Sequence, residues 1–213
     1  MNMLCSLTDV KTLLGIPAAD TSKDEKLNLF IKMASAKIEG FLGYTLARGE
    51  YTEELHSVNH RQLLPLNHFP IQSVSAVTNG GEAITDYKVL PEYARWGRLY
   101  RGNGWGGAYY TRGFTHDVVS GAWDIVVSYV AGYYLPGDNG YVEGASNSLP
   151  YDIVSVCMDL VIQKYNLDAQ GAIGLKAHSE GHISDTYGDE ANDCGLSMSA
   201  RALLAKYIYY GVA

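Results

Sequence analysis

Residues Trp123–Pro136 read WDIVVSYVAGYYLP, a run of β-branched and aromatic residues that breaks off in Ala-Gly-Tyr-Tyr-Leu-Pro. At a strand's period of two, Ile125, Val127 and Tyr129 share one face and Val126, Ser128 and Val130 the other. Both faces can be covered, so the strand belongs inside an assembly. Gly132 relaxes the backbone behind it, and Pro136 cannot continue a ladder, so the chain must leave the sheet there. A β-rich middle hands over to a helical end at this point.

Upstream of that strand, the segment from about Leu46 carries further β-signals. Leu63-Leu-Pro-Leu66 and His68-Phe-Pro-Ile71 flank a short connection, and Ser73–Thr78 alternate up to Asn79-Gly80-Gly81, a strong hairpin signal. Ile84, Tyr87, Val89 and Leu90 restart a strand, and Trp96–Tyr100 supply another piece before the glycine-rich loop Gly102–Gly107. The long edges of such a sheet need covering. Residues before this zone read as two helices. Thr8 can cap the first, which carries Val10, Leu13 and Leu14 and ends at Gly15 and Pro17. Ser22 with Glu25 has the form of a capping box for a second, with Leu27, Phe30, Ile31, Ala34, Ile38, Phe41 and Leu42 recurring at helical spacing, stopping at Gly43. Beyond the loop 137–147, Ser148 can cap a helix through Val154, Cys157 and Val161. Residues 178–195 show no helical stripe and read as a loop. A terminal helix starts near Ser197 and runs almost to Ala213. The expected fold is α+β, with helices from 1–45 and 148–213 forming a small bundle, a β-rich insertion at 46–135 and a linking loop at 136–147.

The 213 residues are 47% hydrophobic and 18% charged, below the ~25% usual for soluble domains. Seventeen tyrosines stand against four phenylalanines. Tyrosine offers contact area with a polar tip, which suits surfaces that are buried against other subunits, although a tyrosine-rich β-structure reads equally well. A formal charge of −7 argues against gripping nucleic acid over a broad surface, but not against an acidic channel through which DNA passes. Cys5, Cys157 and Cys194 are odd in number and widely spaced, indicating neither a disulfide framework nor a thiolate metal site. No segment approaches the ~20 apolar residues that span a bilayer, so no membrane contact is expected.

Candidate chemistry is sparse. Gly102, Gly104 and Gly107 satisfy GxGxxG, but Ala-Tyr-Tyr-Thr-Arg-Gly follows where a dinucleotide fold opens a helix, so a β-loop is expected there. His178 and His182 lie four apart, with Gly181 weakening any helix, and His56 and His60 lie near Glu54 with no evident third ligand. Neither pair is expected to bind a metal. No GxSxG elbow or fixed carboxylate pair indicates catalysis. No cofactor and no enzymatic activity are expected. Around the glycine loop, Arg95, Arg98, Arg101 and Arg112 interleave with Tyr93, Trp96, Tyr100, Trp105, Tyr109 and Tyr110, a mixture that could stack sugars or bases. A subunit interface uses the same residue types and is the preferred reading, with Arg95, Trp96, Arg98, Tyr100, Trp105, Tyr109 and Tyr110 as its residues.

The succession LTDVKTLLGI, IEGFLGY, LLPLNHFPIQSVSAVTNGG, VSYVAGYYLP and SEGHISDTYG resembles, over nearly the whole chain, the head-tail connector (adaptor, or head-completion) family of tailed bacteriophages and prophages. The segments 92–116 and 188–193 depart from the pattern. The resemblance implies a non-enzymatic ring protein of the virion, made in the bacterial cytoplasm and dodecameric on the portal. It would join the DNA-filled head to a stopper or tail-completion protein and line the DNA exit channel. By the same likeness Leu203, Leu204, Tyr207, Ile208, Tyr209 and Tyr210 would dock on the portal. Asp185, Asp189, Glu190 and Asp193 would face a channel that lets DNA pass without specific binding. The competing reading is a β-rich carbohydrate-binding module using the aromatic residues of 93–112.

Overall fold

In the computed structural model the described residues are 2–56, 61–105, 125–169, 177–180, 183–186 and 196–208. They form an α+β protein of two units, Met1–Tyr44 with Tyr134–Ala213, and Thr45–Tyr133.

The first unit is mainly helical. Helix α1 (Leu7–Leu13) is capped by Ser6, whose Oγ accepts from the Asp9 N–H at 3.1 Å, two residues ahead of the expected Thr8. Helix α2 (Asp24–Leu42) buries Leu27, Phe30, Ile31, Ala34, Ile38 and Leu42 of the expected stripe, leaves Phe41 half-buried, and ends on Gly43 at φ 80°. The capping box does not form. Ser22 is held in a turn by Asp20, whose Oδ1 accepts from both its N–H and its hydroxyl, and the N-cap position falls to Lys23. Nearly buried Lys11 forms an ion pair with Asp24 at 2.6 Å and donates to the Ala18 carbonyl, tying α1 to the start of α2.

Helix α4 (Tyr151–Ala169) packs against α1 and α2 and buries Ile153, Val154, Val156, Cys157 and Val161. Its start is not capped by Ser148. That residue is buried, and its Oγ accepts from the Val142 N–H at 3.1 Å, pinning the preceding loop. The expected loop at 178–195 contains an antiparallel pair instead, strands β8 (Ala177–Glu180) and β9 (Ile183–Thr186). Helix α5 (Met198–Ala205) begins as expected at Ser197, whose Oγ accepts from the Ala200 N–H. It ends at Ala205, well short of the expected terminus. Cys5 and Cys157 are buried free thiols, and contact with Cys157 and burial push the Cys5 thiol up.

The second unit holds two antiparallel sheets. Strand β7 (Ile125–Ala131), the strand legible in the opening stretch, lies between β1 (Gly49–His56) and β3 (Ile71–Asn79). Ile125, Val127, Tyr129 and Ala131 are buried and the alternate residues half-buried, as the period-two pattern requires. Strand β4 (Glu82–Ala83) returns from β3 through Gly80 and Gly81, both at positive φ, which gives the predicted two-residue hairpin. The second sheet orders β2 (Leu63–Pro65), β6 (Arg98–Arg101) and β5 (Tyr87–Lys88), so the strand expected over 84–90 is reduced to two residues. The short helix α3 (Pro91–Ala94) precedes β6. Leu64, Leu99, Trp105, Ile71, Val77 and Val127 belong to the core of this unit.

Gly132 closes the sheet. Its φ is 96°, and a Cβ there would fall 2.3 Å from the Ala47 carbonyl oxygen, so only glycine lets the chain turn out beside 47–48. The exit is paired to the entrance: Ala47 bridges Tyr133, and the Arg48 N–H donates to the Tyr133 carbonyl at 2.8 Å.

Candidate interaction surfaces

A polar cluster is built on a β-bulge. Between β1 and β7 the register passes from Tyr51↔Tyr129 to Glu54↔Val127, so β1 carries one extra residue. Glu53 absorbs it at φ 55°, its N–H donating to Ser128 Oγ at 3.1 Å. The bulge turns Glu54 and His56 onto the face already occupied by Tyr51 and Tyr129. There the Tyr129 hydroxyl donates to the Glu54 carboxylate, 3.0 and 2.9 Å from its two oxygens. The Asn67 N–H donates to Glu54 Oε1 at 3.1 Å, and the His68 N–H to the Tyr129 oxygen at 3.2 Å. His56 Nε2 lies 2.6 Å from Glu54 Oε1 without hydrogen-bond alignment, and His68 Nε2 lies 3.9 Å from Oε2. The His68 ring stacks on Tyr51 at 3.7 Å.

Burial, reinforced by Glu54, pushes the Tyr129 hydroxyl up. Burial also holds His56 below its ordinary value, with Glu54 opposing. Among the described residues no group of His, Cys, Asp and Glu is placed to hold a metal ion. The cluster fastens the β2–β3 connection to the sheet.

A second feature is the outward face of the β2–β6–β5 sheet. Leu99 pairs with Leu64 on the buried side, so alternation sends Arg98 and Tyr100 outward. Lys88 and Leu63 flank Tyr100 on the neighbouring strands, and Pro65 sits opposite Arg98. Tyr93 of α3 stacks on Tyr100 at 6.2 Å. No acidic residue occurs in these three strands. Exposed Arg95 lies 5.1 Å from the half-buried Trp96 ring.

Trp105 corrects the sequence reading. It is 0% exposed, its indole N–H lying 3.1 Å from both the Gln62 and the Leu99 carbonyls, which fixes the glycine loop to the core. An anchored indole offers no face to a sugar or a neighbouring subunit. Tyr109, Tyr110 and Arg112 lie outside the described residues.

In the helical unit, Tyr141, Val142 and Glu143 lie on the loop that leads into α4. Burial pushes the Tyr141 hydroxyl up, and the Glu143 and Asp9 carboxylates and Tyr151 add to the shift. Val142 and Tyr151 are 61% and 58% exposed.

The end of α5 is tied down. Lys206 forms an ion pair with Asp152 and holds that carboxyl below its usual range. The Tyr207 hydroxyl donates to Asp152 at 3.2 Å, and the Tyr44 hydroxyl donates to the Tyr207 carbonyl at 3.0 Å. Leu204 is fully buried, so among the residues expected to dock on a portal it serves its own unit's core. Leu203 is exposed and Tyr207 and Ile208 half-buried. Tyr209 and Tyr210 lie outside the described residues. Of the expected channel acids, Asp185 falls on β9, and Asp189, Glu190 and Asp193 lie outside the described residues.

A family model described as head completion protein matches residues 3–138. No curated protein matches the chain. Among solved structures, the chain is similar to one from the "Neck of empty GTA particle computed with C6 symmetry", at 16% identity and a TM-score of 0.48, covering 100% of this chain and 96% of that one.

Proposed function

This chain belongs to the head completion protein family, and from that premise we propose that it is a non-enzymatic structural connector of the phage virion. In this reading copies form a ring beneath the portal, a dodecamer where portal-bound. The ring joins the filled head to a stopper or tail-completion protein and surrounds the path of the DNA. The helical unit acts as the bundle that repeats around the axis, carrying the β-rich unit as an insertion. The family match over residues 3–138 carries the proposal. The tyrosine-rich, weakly charged composition supports it, since such surfaces suit repeated protein contacts. No helix among the described residues is long and apolar enough to cross a membrane.

Portal docking falls to Leu203, Ile208 and the segment beyond, with Leu204 and the Tyr207 hydroxyl engaged within the unit. Acidic side chains of 185–193 would line the channel and repel DNA during ejection. The test is the mass of the protein in solution by light scattering, alone and mixed with a portal protein from the same source. A ring, or a complex formed on mixing, is expected. A monomer indifferent to the portal would overturn the proposal. Deleting residues 209–213, which spares the Tyr207 contacts, should preserve the fold and abolish portal binding. Unchanged binding would remove the C-terminal segment from the docking site.

A further inference from the structure

Among the described residues, strands β8 and β9 pair with each other and with no further strand. A two-stranded hairpin of four residues a side is marginal by itself in water, and a third strand is what makes such a sheet stable. Strand β3 offers an edge that could take one. Its nine residues have β7 on one side, while on the other β4 covers only Thr78 and Asn79, and the Val77 carbonyl accepts from the Ile84 N–H at 2.8 Å. From Gln72 to Ala76 that edge has no backbone partner among the described residues, and Ser73, Ser75 and Ala76 are exposed. We infer that β8 of one copy adds to this edge of β3 in a second copy. This inference rests on the ring reading above and names the contact that would build the ring.

Sequence and geometry select these two edges. The other long edge, β1, is guarded by Glu50 and by the bulge at Glu53. Strands β2 and β5 present edges of only three and two residues, and β2 includes Pro65. Residues 71–77 of β3 read Ile-Gln-Ser-Val-Ser-Ala-Val, with no charge and no proline. Strand β3 shifts register against β7 between Ile71 and Ser73 and between Val74 and Ala76, which limits an added ladder to a few residues, the length of β8. On the hairpin, two residues separate Glu180 from Ile183, so that pair exchanges the first hydrogen bonds of the ladder. Alternation then points the Ser179 and Ser184 backbone groups away from each other, toward the hairpin's two outer edges. Ala177–Ser179 of β8 include no acid, lysine or arginine, whereas β9 includes Asp185, so β8 pairs and β9 is left as a charged outer edge. Main-chain hydrogen bonds supply the affinity, and joining two different edges is the head-to-tail arrangement from which closed rings are made.

Sedimentation velocity on the full chain, alone and with a portal protein from the same source, tests this. Ser179→Pro removes an outward N–H of β8 and spares the β8–β9 ladder. It should weaken assembly on the order of tenfold. Ser184→Pro makes the same change on the β9 edge and should assemble as the native chain does. A disulfide trap reads the contact directly. With Cys194→Ser in every preparation and Cys5 and Cys157 buried, copies carrying Ser73→Cys or Ala76→Cys are mixed with copies carrying Ser179→Cys and oxidised with copper phenanthroline. A mixed disulfide-linked dimer is expected for at least one pair, and not when Ser184→Cys takes the place of Ser179→Cys. Circular dichroism melts establish that each variant is folded. Native assembly undiminished by Ser179→Pro, equal losses in the two proline variants, or an assembling preparation that yields no mixed disulfide each overturn this contact and leave the ring reading standing. A native chain that stays monomeric alone and with the portal overturns the ring reading and this contact with it.

Discussion

At the scale of single residues, the Glu54 cluster shows how one extra residue in a strand redirects chemistry. Tyr51 and Glu54 are three apart, so an unbroken strand would place them on opposite faces. The bulge at Glu53 brings them together with His56 and Tyr129. Replacing Tyr129 with Phe removes the hydroxyl that donates to Glu54 and accepts from His68. Because a largely buried carboxylate loses a donor, stability should fall by about 1–3 kcal/mol in urea unfolding. The same cluster gives a pH response. His56 binds its proton less readily folded than unfolded, because it is buried. Its stabilising share is therefore complete above about 6.5, the unfolded value, and is lost as the pH falls below it. The urea midpoint should drop between pH 7 and pH 5, and His56→Gln should flatten that part of the curve. The sequence held Glu54 near His56 but not Tyr129 or His68, which arrive from distant strands and a connection. Trp105 was likewise illegible: a tryptophan in a glycine loop reads as exposed until its indole N–H is seen reaching two core carbonyls.

At the scale of elements, periodicity was a sound guide wherever an element buries one stripe. Strand β7, helix α2, the hairpin between β3 and β4 and the start of α5 near Ser197 all follow from the order of residues. Helix starts were less legible, because several short polar residues compete for each cap and neighbours such as Asp20 decide between them. The β8–β9 pair was missed because Ala-His-Ser-Glu and Ile-Ser-Asp-Thr show no apolar alternation. The exit of β7 makes the sharpest element-level prediction. Gly132→Ala would force a side chain into positive φ and against the Ala47 carbonyl at 2.3 Å. It should cost more than about 2 kcal/mol, read as a lower melting temperature, whereas Gly137→Ala, strained but with open space around it, should cost less.

At the scale of the whole molecule, the chain enters the β-rich unit at Thr45 and leaves it at Tyr133, and these two ends are joined. The Ala47–Tyr133 bridge and the Arg48-to-Tyr133 hydrogen bond hold them side by side. To the helical unit the insertion therefore behaves as a short loop, whatever its length, because the entropy of closing it is met inside the inserted unit. Replacing residues 46–132 with a short glycine-serine linker should leave a folded helical protein, as judged by a cooperative melt followed at a helical wavelength. A non-cooperative transition would show that the helices need the insertion. The same clasp bears on descent. A module whose two ends meet can be lengthened, trimmed or exchanged for another without resetting the scaffold that carries it. Lineages of such proteins should then vary most in the cargo held between residues 47 and 133 and least in the helices on either side.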